Sequence, residues 1–187
     1  MTVTTLDPVT ALILVDLQKG IVGLPGFDAI DRVVARARTL ADAVRARGLP
    51  VVLVTVDGRA PGRTERPRMT MPNVHGWTDL VPEVDRQPDD ILVTKRTWGA
   101  FASTDFETQL KGRGVTQVVI AGVATGTGVE STARQAYELG FNVTLAIDAM
   151  TDQRAAAHDY SLTQVFPRLG ETGTSEEIIA LLVSVSL

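Results

Sequence analysis

Five unbroken apolar residues, Ala11 to Val15, open a pattern in which short apolar runs alternate with longer stretches of helical period. A run without a polar position has no solvated face, so Ala11–Val15 predicts a buried strand. From Asp28 to Arg47, the residues Ile30, Val33, Val34, Ala37, Leu40, Ala41 and Val44 recur at spacings of three and four. That spacing predicts an amphipathic helix with its arginines and aspartates turned to water. Gly48 stands where a helix-ending glycine belongs, and Pro50 prevents continuation. Val51–Val56 predicts a second strand and Ile91–Thr94 a third. A helix near Asp105–Lys111 then leads to a strand at Gln117–Ala121, and a helix at Val129–Leu139 is closed by Gly140. The strand Asn142–Ile147, a helical stretch Ala155–Phe166 and a short strand near Gly170–Thr172 follow. Thr174 and Glu177 have the spacing of a capping box, which opens the last helix.

Strands of continuous apolar character alternating with helices predict the α/β class. The expected architecture is a three-layer sandwich: a six-stranded, mostly parallel, Rossmann-like sheet with helices on both faces and right-handed crossovers. A length of 187 residues fits one domain. The segment 57–87 breaks the rhythm. It carries Pro61, Pro67, Pro72 and Pro82, the arginines Arg59, Arg63, Arg66 and Arg68, and also His75 and Trp77. Irregular stretches of this length inside a compact domain are usually functional, so it reads as a lid or substrate-binding insert.

Composition narrows the chemistry. Apolar residues make up 44% of the chain and charged residues 21%, as in ordinary globular proteins. A net charge of −4 argues against a general nucleic-acid binder, which needs a concentrated cationic surface. The sequence contains no cysteine, which excludes disulfides, thiolate metal sites and a cysteine nucleophile. His75 and His158 stand too far apart to suggest a metal site and read as surface or lid residues, so neither metal nor cofactor is expected. The N-terminal stretch lacks a basic segment and a cleavage pattern, and its apolar run is too short for a membrane span. A cytoplasmic protein without a membrane partner is the expectation.

Ligands of open parallel sheets bind beyond the carboxyl ends of the strands. Three polar features fall at such ends: Asp16 after ALILV, Lys95 after ILVT, and the glycine-rich turn Gly122–Gly128 after QVVIA. Each alone has an ordinary reading, as a turn residue, a solvated lysine or a tight helix–sheet contact. Together they could share one pocket in which the turn's backbone N–H groups face a developing oxyanion. A rival reading takes Gly126, Gly128 and Asp148 as a dinucleotide fingerprint. Ser131 in place of the third glycine, and the turn's position after the fourth strand, weigh against it.

The segments ALILVDLQKG, TKRTWGAF and VVIAGVATGTGVESTARQAYELGFNVTLAIDAMTD resemble the isochorismatase-like (cysteine hydrolase) family, in order and over nearly the whole chain. The resemblance implies that Asp16 transfers a proton and that Lys95 sits beside it. It implies a cis peptide into Ala124 and an oxyanion hole made by the amides of Ala124 and Gly128. Gln18, Trp98, Phe101 and Thr125 are expected around a small-molecule substrate, with Arg59 of the insert as an anion-binding candidate, and the resemblance points to a homodimer or homotetramer. The family's nucleophilic cysteine falls on Gly128, which excludes the acyl-enzyme route of its amidases. Hydrolysis of a vinyl ether in a small molecule, anionic where the arginines of the insert bind it, by Asp16 and Lys95 is therefore favoured over amide hydrolysis. The alternative is a family member without catalysis, serving as a binding or scaffold protein.

Overall fold

The computed structural model describes residues 2–65 and 75–184. Arg66 and Arg68, two of the four arginines expected in the insert, lie outside them, as do Pro67 and Pro72. The strands are β1 (Thr10–Val15), β2 (Val51–Val56), β3 (Ile91–Lys95), β4 (Gln117–Val123), β5 (Asn142–Thr151) and β6 (Glu171–Gly173). The helices are α1 (Lys19–Val22), α2 (Ile30–Ala46), α3 (Phe106–Gly112), α4 (Glu130–Glu138), α5 (Ala155–Tyr160) and α6 (Ser175–Ser184). The six strands form one sheet in the order β3-β2-β1-β4-β5-β6, and every neighbouring pair is parallel.

The two cores follow from the alternation of side chains along each strand. Leu12 and Leu14 of β1 face Val33, Val34, Ala37, Leu40 and Ala41 of α2 and Ile178 and Leu182 of α6. Ala11, Ile13 and Val15 face Phe106 and Leu110 of α3 and Val129, Ala133 and Ala136 at the start of and along α4. All six residues of β1 are buried, as expected for a central strand covered on both sides. The capping box also forms: Glu177 Oε2 accepts from Thr174 N at 2.8 Å, and Thr174 Oγ accepts from Glu177 N at 3.3 Å.

Three elements differ from the pattern. β5 runs on to Thr151, past the polar Asp148 that ended the apolar run. Its register against β4 slips between Ile120↔Leu145 and Gly122↔Met150, so Ile147 and Asp148 bulge out half-buried. The helical stretch after Ala155 is not one helix. It widens at Ser161–Val165 and tightens at Phe166–Arg168, where Pro167 cannot donate an N–H. Within the insert, a single turn at Pro82–Val84 and a bridge between Gln18 and Leu80 are the regular structure among the described residues. No helix among the described residues is long and apolar enough to cross a membrane.

Candidate active site

Asp16 is the first residue past β1, and Lys95 is the last residue of β3. β2 lies between those strands, so their ends stand about 10 Å apart. The four-carbon stem of Lys95 spans that gap, and its Nζ reaches Asp16 Oδ2 at 2.8 Å. The same ammonium donates to the carbonyl of Trp98 at 2.6 Å. Lys95 is 1% exposed and Asp16 6% exposed. An ion pair this deep needs its geometry held from several sides. Asp16 is held at the backbone, where its N–H donates to Val54 O at 2.9 Å. Its φ of 53° lies in the left-handed region that non-glycine residues seldom adopt.

The other carboxylate oxygen, Asp16 Oδ1, is buried and has no hydrogen-bond partner among the described residues. Burial outweighs the charge and hydrogen bond of Lys95, and the Asp16 carboxyl stands raised to about 6. Lys95→Met should therefore move the Asp16 carboxyl well above 6. Carbon-13 NMR titration of that carboxyl checks this, and a fall would contradict the electrostatic account.

The turn after β4 completes the cluster. The Val123–Ala124 peptide is cis, and residues Thr125–Val129 form a wide helical turn that runs into α4. Gly128 backs onto Asp16: a Cβ built there would stand 3.0 Å from Asp16 Oδ2 and 3.1 Å from Val123 O. Asp16, Lys95 and Gly128 are thus brought together on one sheet edge.

Other residues expected around the substrate are committed elsewhere. Gln18 is fully buried. Its Oε1 accepts from Val56 N at 2.7 Å, and its Nε2 donates to Val56 O and Trp77 O. It ties the end of β1 to β2 and to the insert, and does not face a ligand. Phe101 belongs to the core, stacked on Phe106 at 4.7 Å and near Phe141. Trp98 is 69% exposed, and it contributes its backbone carbonyl to the cluster. Thr125 is completely buried with its hydroxyl 2.8 Å from His158 Nδ1. Arg59 lies three residues past β2, half-buried, while Arg63 is exposed.

His158, read from the sequence as a surface or lid residue, is instead a partner of the turn. Sequence reasoning missed this because the two residues are 33 positions apart and a lone histidine carries no spacing signal. Asp148 accepts from Ser175 N and Ser175 Oγ at 2.6 and 2.7 Å and pairs with Arg36. Its carboxylate is therefore spent on the start of α6, which removes the acid that the dinucleotide reading required.

The Isochorismatase domain family matches residues 10–177 of the chain. The isochorismatase family protein YecD of Escherichia coli O157:H7 is 40% identical over 179 residues, which cover 91% of this chain and 94% of YecD. A ureidoacrylate amidohydrolase, RutB of Stutzerimonas stutzeri, is 34% identical over 168 residues, covering 73% of this chain and 68% of RutB. The solved structure of an isochorismatase family protein from Burkholderia thailandensis superposes with a TM-score of 0.93 at 40% identity. That match covers 97% of this chain and all of the other.

Proposed function

The chain belongs to the isochorismatase-like hydrolase family, and from that premise we propose that it hydrolyses a vinyl ether in a small, anionic molecule without a covalent intermediate. One observation carries this reading: a buried carboxyl raised to about 6, held by Lys95 through Oδ2 and with Oδ1 lacking a partner among the described residues. A carboxyl near neutrality can give up a proton at physiological pH, and the oxygen without a partner is the one that would carry it.

In this mechanism Asp16 Oδ1–H protonates the terminal carbon of the C=C bond, and the ether carbon becomes an oxocarbenium ion. Lys95 stabilises the Asp16 carboxylate left behind. Water adds to the cation and returns a proton to Asp16. The resulting hemiketal loses the alcohol, leaving a ketone. Amide hydrolysis through a thioester is closed to a chain without cysteine. That argument concerns this chain alone, since RutB is an amidohydrolase.

The test is a turnover screen of vinyl ethers, small amides and cyclic imides. The proposal expects turnover confined to vinyl ethers, with a rate that is level below pH 6 and falls tenfold per pH unit above it. The sign follows from the acid form being the active one. A rate that climbs through pH 6 instead would make Asp16 a base and overturn the mechanism. No turnover across the screen would favour the binding-protein alternative.

A further inference from the structure

The segment from Asp152 to Ser161 grips the glycine turn at successive points. Asp152 Oδ2 accepts from Gly126 N at 2.8 Å, and Asp152 Oδ1 accepts from Arg154 N at 3.0 Å. The carboxylate thus ties the turn to the start of α5. One turn further, His158 Nδ1 meets Thr125 Oγ at 2.8 Å. Ser161 Oγ then donates to Glu130 Oε2 at 2.6 Å, at the start of α4. Between these bonds the backbones close up: a Cβ on Gly126 would lie 3.2 Å from Ala157 Cβ. Thr125 is completely buried and Asp152 is 8% exposed.

The bonds satisfy buried polar groups and so stabilise the turn; their direction does more than that. Here, buried polar bonds are spent on the two residues at the head of the turn, whose amides precede Gly128. Gly126 N–H is drawn to Asp152 and so is withdrawn from the set that could face a ligand. That fixes the plane of the Thr125–Gly126 peptide, and with it the entry to the peptides that follow. His158 holds the Thr125 side chain, which fixes the rotation of the turn's first residue. Orientation of backbone dipoles within a water-excluded site governs how strongly they stabilise developing negative charge, which in the proposed reaction is the carboxylate left on Asp16, beside Gly128.

We propose that Asp152 and His158 are positioning residues, which hold the Thr125–Val129 turn so that the Gly128 amide is aimed at the reacting centre beside Asp16; the amides of Gly126, Thr127 and Val129 are already spent on Asp152 and on Ala124 O. The proposal rests on the reading that this turn faces the reacting atoms. Neither residue touches the substrate; both act through the turn.

The test needs no substrate, so it stands or falls separately from the proposed function. Because the chain has no cysteine, Gly128→Cys installs a single thiol as a probe of the field at the turn. Its ionisation is read from the pH dependence of alkylation by iodoacetamide. In that background, His158→Leu, Thr125→Val and Asp152→Asn should each slow alkylation at pH 7 by about tenfold. His158→Asn, whose side-chain amide can occupy the place of Nδ1, and Thr125→Ser should stay within about twofold of the parent. Melting temperatures are measured in parallel. Variants that melt earlier but alkylate at the parent rate would show a purely structural clamp and overturn the proposal. Should Gly128→Cys not fold, the Asp16 carboxyl, 3.0 Å from that position, serves as the probe in the otherwise native chain. A carbon-13 titration of Asp16 that is displaced in His158→Leu and restored in His158→Asn supports the proposal. An unmoved titration overturns it.

Discussion

Turnover by the Asp16→Asn protein is expected to fall by about 10² to 10⁴-fold, the usual range when a general acid is removed. The amide keeps the shape of the carboxyl, and its oxygen can still accept from Lys95 Nζ, which sits 2.8 Å from Asp16 Oδ2 in the native chain. It has no proton acidic enough to give to carbon. Loss of rate must be separated from loss of fold. Removing one partner of a buried ion pair costs about 3–5 kcal/mol, and Lys95 is 1% exposed. The Asp16→Asn/Lys95→Met double variant removes both charges and should recover part of the lost stability without recovering turnover. Steady-state rates together with thermal melts check both halves. An Asp16→Asn protein that keeps full rate would dismiss Asp16 as the acid.

Gly122→Ala is expected to have the largest effect on stability. Gly122 pairs with Val15 across β1 and β4, directly before Asp16. Its φ is +111°, and a Cβ there would stand 2.6 Å from Val15 N and closer still to Val15 O. The overlap is with backbone, so no rotamer change relieves it. Overpacking costs about 1–3 kcal/mol, and a side chain held at an unfavourable positive φ adds about 1–3 kcal/mol. For a chain of this size the melting temperature should drop on the order of 10 °C. Gly112, at the end of α3 with nothing within 4 Å of its would-be Cβ, is the control. Gly112→Ala should leave the melt unchanged or raise it slightly. A Gly122→Ala protein that melts with the native chain would refute the close approach of β4 to β1.

The order of the elements could be read along the chain because local periodicity is a property of neighbouring residues. The buried stripe of α2, the continuous apolar run of β1 and the Thr174–Glu177 capping box all form where the pattern puts them. Elements of about a single turn, such as α1 and the turn at Pro82–Val84, carry no such signal. The bulge in β5 has no signature in the strand's own residues, because a register slip depends on the partner strand.

The site divides along the same line. Asp16 and Lys95 were legible as a pair because parallel strands send all their carboxyl ends to one edge, a consequence of topology alone. Which polar side chains near that edge remain available is decided by hydrogen-bond partners far away in the sequence. Gln18 finds Val56 and Trp77, 38 and 59 residues on. Thr125 finds His158, 33 residues on. Phe101 is taken by the rings of Phe106 and Phe141. By itself the sequence determined the sheet, the edge and the two charged residues, because these follow from periodicity and strand direction. Only the tertiary structure decided that Asp16 is raised towards neutrality, that Gln18 and Thr125 are scaffold, and that His158 belongs to the turn. Burial and the satisfaction of polar groups arise from contacts between segments that no local pattern encodes.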